Sequence, residues 1–347
     1  MKYTNQNAEI INQWKKRYGL KWMEPISHET FLNARNGEWD ITLTPVKAVP
    51  HAWLGDVKGK KILGLASGGG QQMPVLSALG AECTVLDISR EQLAAEKEVA
   101  AREGYRIRII EGDMTQRLPF ADGEFDMIVN PVSNHYIEDV FPVFAECRRV
   151  LKPGGELLCG LDTGIYWVFD DAEEKVVHSL PFNPLKDRAL YDELMEKDMG
   201  LQFSHTLEEQ IGGQLKAGFT LLDLYEDTNG AGPLHEKNVP TFIATRSRKP
   251  FSPHAAERTF FDAQIARIAR YEAMMDAAQA KLNAGITDTS LAALIAGLEA
   301  YYASDDWKLD YAADEAGALP GDLNRGVLSQ DGLWNLLERY KEITDTE

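Results

Sequence analysis

Three consecutive glycines, Gly68 to Gly70, follow the apolar run KILGL (61–65) with only Ala66 and Ser67 between, and two glutamines come next. Glycine in an ordered element costs about 0.5–1 kcal/mol relative to alanine. A cluster of them where a buried strand ends therefore marks a close approach of a ligand to the backbone. A second candidate is the stretch Asn130-Pro131-Val132-Ser133-Asn134-His135-Tyr136, after another apolar run. His135, with an ordinary imidazole pKa of about 6.5, has the chemistry of a general base; the competing role is packing or helix capping. His235 and Glu236 in LHEKNVP, and Tyr166, Trp167 and Phe169 in DTGIYWVFDD, are candidates for substrate contact. Their competing roles are a surface-loop histidine and aromatic anchors of the local fold. No Ser/His/Asp or Cys/His nucleophile arrangement is present. Cys83, Cys147 and Cys159 lack metal-ligand spacing, so neither a structural zinc nor a disulfide framework is expected. Asp305, Asp306, Asp310 and Asp314 lack the spacing of an EF-hand loop and read as solvated acids or helix caps.

These residues need a scaffold, and the pattern from residue 61 supplies one. Strand-like runs at 61–65, 82–88, 106–113, 125–131, 156–161, 219–227 and 241–248 alternate with helix-like pieces, the mark of a parallel sheet wrapped by helices. Helices are predicted at 73–80, stopped by Gly80, and from the capping box at Ser89–Gln92 to about Arg102. Two more are predicted, one over 140–151 ahead of the turn Lys152–Gly155 and one from the capping box at Thr206–Glu209 to Gly218. Residues 162–205 break the rhythm with aromatic residues and prolines and read as an inserted cap. Beyond a linker at 249–256, Ile265, Ile268, Met275 and Leu282, then Leu291, Leu294, Ile295 and Leu298, recur at helical spacing. Residues 257–347 are therefore a small helical domain, and with 17 acidic and 8 basic residues it carries half of the chain's excess negative charge.

The 347 residues, 44% apolar and 26% charged, fit a globular protein of two domains. A formal net charge of −18 argues against a nucleic-acid partner, which selects basic surfaces. No apolar run is long enough to cross a bilayer and the N-terminal residues lack a signal-peptide core, so a cytoplasmic protein with no membrane partner is expected.

On these residues, segment 61–161 resembles the core of class I S-adenosylmethionine-dependent methyltransferases, most like the small-molecule branch of ubiquinone and menaquinone biosynthesis. LGLASGGGQQ occupies the place of that family's glycine-rich loop, Asp87 ends the second strand, Gly112-Asp113-Met114 ends the third, and FDMIVN with VLKPGGELL matches the fourth and fifth. The resemblance implies a Rossmann-like α/β fold with a seven-stranded, mostly parallel sheet over 1–248, an N-terminal helical lid (1–60) and S-adenosylmethionine as cofactor. It further implies that Ala66, Gly68 and Gly70 lie along the cofactor's amino-acid end, that Asp87 takes its ribose hydroxyls, and that Ser67, Ile88 and Gln92 also bind the cofactor. Asp113 and Met114 fall at the adenine, and Asn130 follows at the end of the fourth strand. His135 is then the candidate catalytic base, and Tyr166 and His235 the candidate substrate contacts. A dinucleotide fold also places glycines after a strand and an acid about 20 residues on. Against it, no glycine stands three residues after Gly70, and Asp113 and LKPGG are foreign to that fingerprint. The NP start recurs in the NPPY-type loop of amino-group methyltransferases, but Val132 and Ser133 replace the second proline and the aromatic. Gly64 stands where the family usually has an acid, which leaves the cofactor's ammonium to backbone carbonyls or water.

Trp14, Trp22, Trp39 and Trp53, with Phe31, form the expected lid or else core. Residues 301–340 resemble a small bacterial domain family of unknown function, and Trp307 and Tyr311, four apart, are expected to pack on one helix face. The functional expectation is methyl transfer to a small molecule, with partner docking or homodimerisation through the tail. The alternative is a catalytically lapsed cofactor-binding sensor or scaffold.

Overall fold

The computed structural model describes residues 2–18, 23–251, 255–315, 319–320 and 323–344. Trp22 and part of the expected linker, 252–254, lie outside the described residues. The chain divides into two compact units, Met1–Pro253 and His254–Glu347.

In the first unit the helices α1 (Tyr3–Tyr18), α2 (His28–Arg35) and α3 (His51–Leu54) precede strand β1 (Lys61–Leu65). There follow α4 (Gln72–Ala78), β2 (Glu82–Asp87), α5 (Arg90–Glu103), β3 (Arg108–Glu111), β4 (Phe125–Asn130), α6 (Phe141–Val150) and β5 (Leu151–Asp162). The cap holds a 3-10 turn, Tyr166–Val168, and α7 (Arg188–Glu196); then come α8 (Gly213–Lys216), β6 (Thr220–Asp227), α9 (Gly232–Glu236) and β7 (Phe242–Arg248). The sheet order is β3-β2-β1-β4-β5-β7-β6. Pairs among β1 to β5 are parallel, while β7 runs antiparallel to both neighbours. Parallel strands covered on both faces read as continuous apolar runs. Accordingly Leu63, Leu65 and Ile128 pack on one face with Phe144 and Cys147 of α6, and Ile62, Met127 and Val129 on the other with Leu76 of α4.

Helix ends follow the local chemistry. Ser89 caps α5 by accepting from the Gln92 N–H, and Gly80 and Gly218 stand at φ 91° and 88°, the left-handed region that ends a helix. At Thr206 the capping box is reciprocal: its N–H donates to the Glu209 carboxylate, and its hydroxyl accepts from the Glu209 N–H. That segment opens as a π-helix, Glu208–Gly212, rather than the α-helix expected throughout. The third strand is four residues long, not the eight of 106–113, because β3 is the sheet edge and pairs with β2 only over Arg108–Glu111.

The expected lid separates into two parts. Trp53 and Phe31 are buried beneath the sheet, Trp53 donating from Nε1 to Asp223 at 2.9 Å and Phe31 stacking on Tyr105. Trp39 stacks on His51. These three are core or surface packing. Trp14 alone stays with α1, which lies over the carboxyl ends of the strands, its Nε1 donating to the Asp198 carbonyl at 2.8 Å.

The second unit comprises α10 (Ala255–Asn283), α11 (Thr289–Tyr302), α12 (Asp305–Glu315) and α13 (Gln330–Thr344). Ile268, Leu282, Leu291, Ile295 and Leu298 form its core with Leu333 and Leu336. Trp307 and Tyr311 stack with centroids 5.1 Å apart. Asp310 departs from expectation, being neither solvated nor a cap. It is fully buried and accepts from Arg267, Gln264 Nε2 and the Tyr301 hydroxyl.

Candidate active site

Open parallel sheets bind ligands outside the carboxyl ends of their strands, where the order reverses. Here the reversal falls at β1, between β2 and β4. A cleft of about 680 Å³ of empty space, mouth included, opens at this point. Its walls come from the loop after β1 (Ala66), the end of β2 (Asp87, Ile88), Gln92 of α5, the end of β3 (Asp113, Met114) and the loop after β4 (Ser133, Tyr136). Thr4, Asn7 and Ile11 of α1 close it.

The loop is held from behind. Ala66 takes φ 47°, a left-handed value uncommon for a residue with a Cβ, with its N–H bound to the Leu86 carbonyl at 2.8 Å. At Gly68 a Cβ would stand 2.7 Å from the Gln92 Cβ and 2.9 Å from Asp87 Oδ2, so no other residue fits. Its N–H donates to Asp87 Oδ2 at 2.9 Å, while Oδ1 accepts from the Ser89 N–H at 2.8 Å. Burial raises the Asp87 pKa, and the N–H groups of Ser89, Gly68 and Ile88 pull it back in part. Backbone N–H groups hold both oxygens and no side-chain cation pairs with them, which leaves acceptor capacity for neighbouring hydroxyls. Asp113 is fixed by Thr115, whose N–H and hydroxyl both reach its Oδ1.

Ser67, Gly68, Gly70 and Asn130 support this cleft without lining it. Ser67 donates to Gln72 Oε1. A Cβ on Gly70 would press on Val99 of α5 at 2.8 Å, and Asn130 donates to the Leu65 carbonyl at 2.7 Å and to Ser133. At Gly64, where the resembled family has an acid, a Cβ would stand 2.7 Å from Met73 Sδ, so a sulfur fills that place.

His135 is not where a general base would act. The 3-10 turn Asn134–Tyr136 turns Tyr136 into the cleft and buries the His135 ring behind it, centroids 3.9 Å apart. Its Nδ1 has no hydrogen-bond partner among the described residues and stands 3.9 Å from Asp162 Oδ2. Burial, and next the neighbouring His205, lower its pKa to about 3, so the ring is neutral at physiological pH. Asp162, at the end of β5, is pushed up to about 6 by burial despite accepting from the Gly164 N–H and Trp167 Nε1. Tyr166 lines a separate cavity in the cap, and His235 sits on α9 bound to the Thr228 hydroxyl at 2.6 Å.

The α1 residues and two buried acids escape the sequence reading. Glu96 of α5 is fully buried, takes the Tyr105 hydroxyl at 2.9 Å and the Gly70 N–H, and is pushed up to about 7 by burial. Nothing local marks it, whereas Asp162 ends a strand as Asp87 does and could have been found by that rule. Asn12 of α1 reaches the α5 cap, its Oδ1 accepting from the Ser89 hydroxyl and the Glu91 N–H. Asn7 donates to the Tyr136 and Leu201 carbonyls, stitching α1 to the loop after β4 and to the cap. Among the described residues there is no cluster of His, Cys, Asp and Glu able to hold a metal, and no helix long and apolar enough to cross a membrane.

Residues 63–159 match the family model "Methyltransferase domain", and residues 269–346 match a domain of unknown function, DUF4298. The uncharacterized methyltransferase YbaJ of Bacillus subtilis is 41% identical over 251 residues, spanning 70% of this chain and 98% of that protein. A demethylmenaquinone methyltransferase of Mycolicibacterium paratuberculosis is 33% identical, spanning 54% of this chain and 79% of its own. A crystal structure of an S-adenosylmethionine-dependent methyltransferase from Mesorhizobium loti is 21% identical with a TM-score of 0.47, covering 57% of this chain and 94% of that one.

Proposed function

Because the chain belongs to the methyltransferases, we propose that it transfers a methyl group from S-adenosylmethionine to a small-molecule acceptor. The observation that carries this reading is the joint of Gly68 and Asp87: a loop that admits no Cβ, pressed against a buried carboxylate that lines the cleft and is held by backbone N–H groups alone. Asp87 would hold the ribose, Asp113 and Met114 the adenine, and Ala66 with the loop behind it the amino-acid end. With Gly64 and Met73 at that end, the ammonium has no carboxylate on β1 and is left to backbone carbonyls.

Bound there, the cofactor supplies an electrophilic methyl for in-line displacement, a reaction that gains most from holding its partners in a row. The chain's own contribution is positioning and exclusion of water. Helix α1 covers the cleft, and Tyr136 and Ser133 form the wall on the β4 side. His135, neutral and behind Tyr136, shapes that wall, so the acceptor must arrive deprotonated or lose its proton to solvent.

The test is turnover with isotopically labelled methyl on S-adenosylmethionine, against a fractionated metabolite extract. A labelled product about tenfold or more above that of an Asp87→Ala control supports the proposal, the factor expected when charge-assisted hydrogen bonds to the cofactor are lost. Cofactor binding without label in any fraction would favour a sensor instead.

A further inference from the structure

The cap between β5 and α7 encloses a second cavity, about 560 Å³ of empty space with its mouth, that the cleft does not use. Tyr166, Trp167, Phe169 and Phe182 give it four aromatic walls. Tyr166 and Trp167 stand 5.2 Å apart with planes at 83°, two sides of a corner. The face of an aromatic ring is electron-rich, and a cation within about 6 Å of its centroid is attracted, more strongly as water is excluded.

The charged lining has the same preference. Asp170, Asp171 and Glu193 line it with one lysine, Lys197, and Asp170 Oδ1 accepts from the Glu174 and Lys175 N–H groups. Lys197 lies 3.1 Å from Glu193 and 3.3 Å from Asp171, and His178 is 3.8 Å from Glu193. Burial, and then the carboxylates of Glu173 and Asp171, hold the Tyr166 phenol above its ordinary pKa, so the negative field reaches the ring. An anion would meet three carboxylates here, and a neutral apolar ligand would leave them unanswered.

We infer that this cavity binds a small organic ammonium, a quaternary or alkylated amine, seated in the Tyr166–Trp167 corner and competing with Lys197 for Glu193 and Asp171. Trp167 links the cavity to the end of β5, donating from Nε1 to Asp162 at 3.1 Å. That the ammonium belongs to the methyl acceptor rests on the reading above; the binding itself does not.

The full chain is titrated by calorimetry with choline, without S-adenosylmethionine, beside 3,3-dimethyl-1-butanol, its uncharged isostere. Choline is expected to bind about tenfold tighter than the isostere. Equal affinities, or no choline binding, overturn the inference. Tyr166→Ala should weaken choline about fivefold while Tyr166→Phe stays within about twofold, since the ring face and not the hydroxyl holds the cation. Lys197→Met should tighten choline about threefold by removing the resident cation, an effect of opposite sign to any loss of fold. An unchanged Tyr166→Ala or a weakened Lys197→Met contradicts the inference. S-adenosylhomocysteine titrated into the same samples reports on the cleft: if it binds and choline does not, this inference falls and methyl transfer stands.

Discussion

Two carboxylates, one in each unit, are buried in opposite ways. Asp310 in the helical unit is fully buried, and although burial pushes its pKa up, Arg267, Tyr301 and Gln264 outweigh it and hold the group below its usual range. Asp162 in the sheet unit has no cation bonded to it, and burial lifts it to about 6. Asp87 follows Asp162: burial raises it, and only backbone N–H groups answer. A buried acid that is fully paired serves the fold, and one left short of partners at a strand's carboxyl end is a place for a ligand or a proton. The difference separates the unit that does chemistry from the one whose core polar group is closed.

Breaking the closed pair should have the largest effect. Arg267→Met leaves Asp310 buried without its cation and is expected to destabilise the helical unit by about 3–5 kcal/mol, read by denaturant unfolding. A loss below about 1 kcal/mol would place Asp310 among solvated surface pairs and remove the contrast.

Acid titration sharpens it next. The folded pKa of Asp162 lies above its unfolded value, so its charged form is disfavoured by folding. Stability from this group is greatest below the unfolded value and falls as pH rises from about 4 to 6, by about 3 kcal/mol in all. Asp162→Asn should flatten that part of the profile. Asp310 has the opposite sign: its folded pKa is lowered, so its contribution is present above the unfolded value and lost as pH falls below it. If Asp162→Asn leaves the profile between pH 4 and 6 unchanged, the unbalanced acid lies elsewhere.

A smaller effect is expected at Tyr301→Phe, which removes one donor to Asp310 and leaves Arg267 in place. The loss should be about 1.5 kcal/mol, the low end for a hydrogen bond to a charged group. A cost as large as that of Arg267→Met would mean that the hydroxyl, and not the guanidinium, balances the acid.

The sheet was legible because its strands are buried on both faces and announce themselves as apolar runs, and because Gly80 and Gly218 stop their helices at left-handed φ. The edge strand β3 was overdrawn, since it pairs with β2 alone and only over Arg108–Glu111. Of the residues the resemblance singled out, Ala66, Asp87, Ile88, Gln92, Asp113 and Met114 line the cleft. The stretch after β4 does meet the cleft, but the 3-10 turn decides which side chain faces it, and Tyr136 does rather than His135. The α1 contacts were illegible for a different reason. Asn12 and Asn7 meet groups 79 and 129 residues later, so which face of α1 meets the cleft is settled by tertiary packing, not by anything local to the helix.

The most direct measurement is the calorimetric titration of S-adenosylhomocysteine into the native chain and into Asp87→Ala. Saturable one-to-one binding by the native chain, weakened roughly tenfold to a hundredfold by the substitution, is the predicted result. Equal affinity of the two proteins, or no binding by a folded native chain, would contradict the assignment of the cleft.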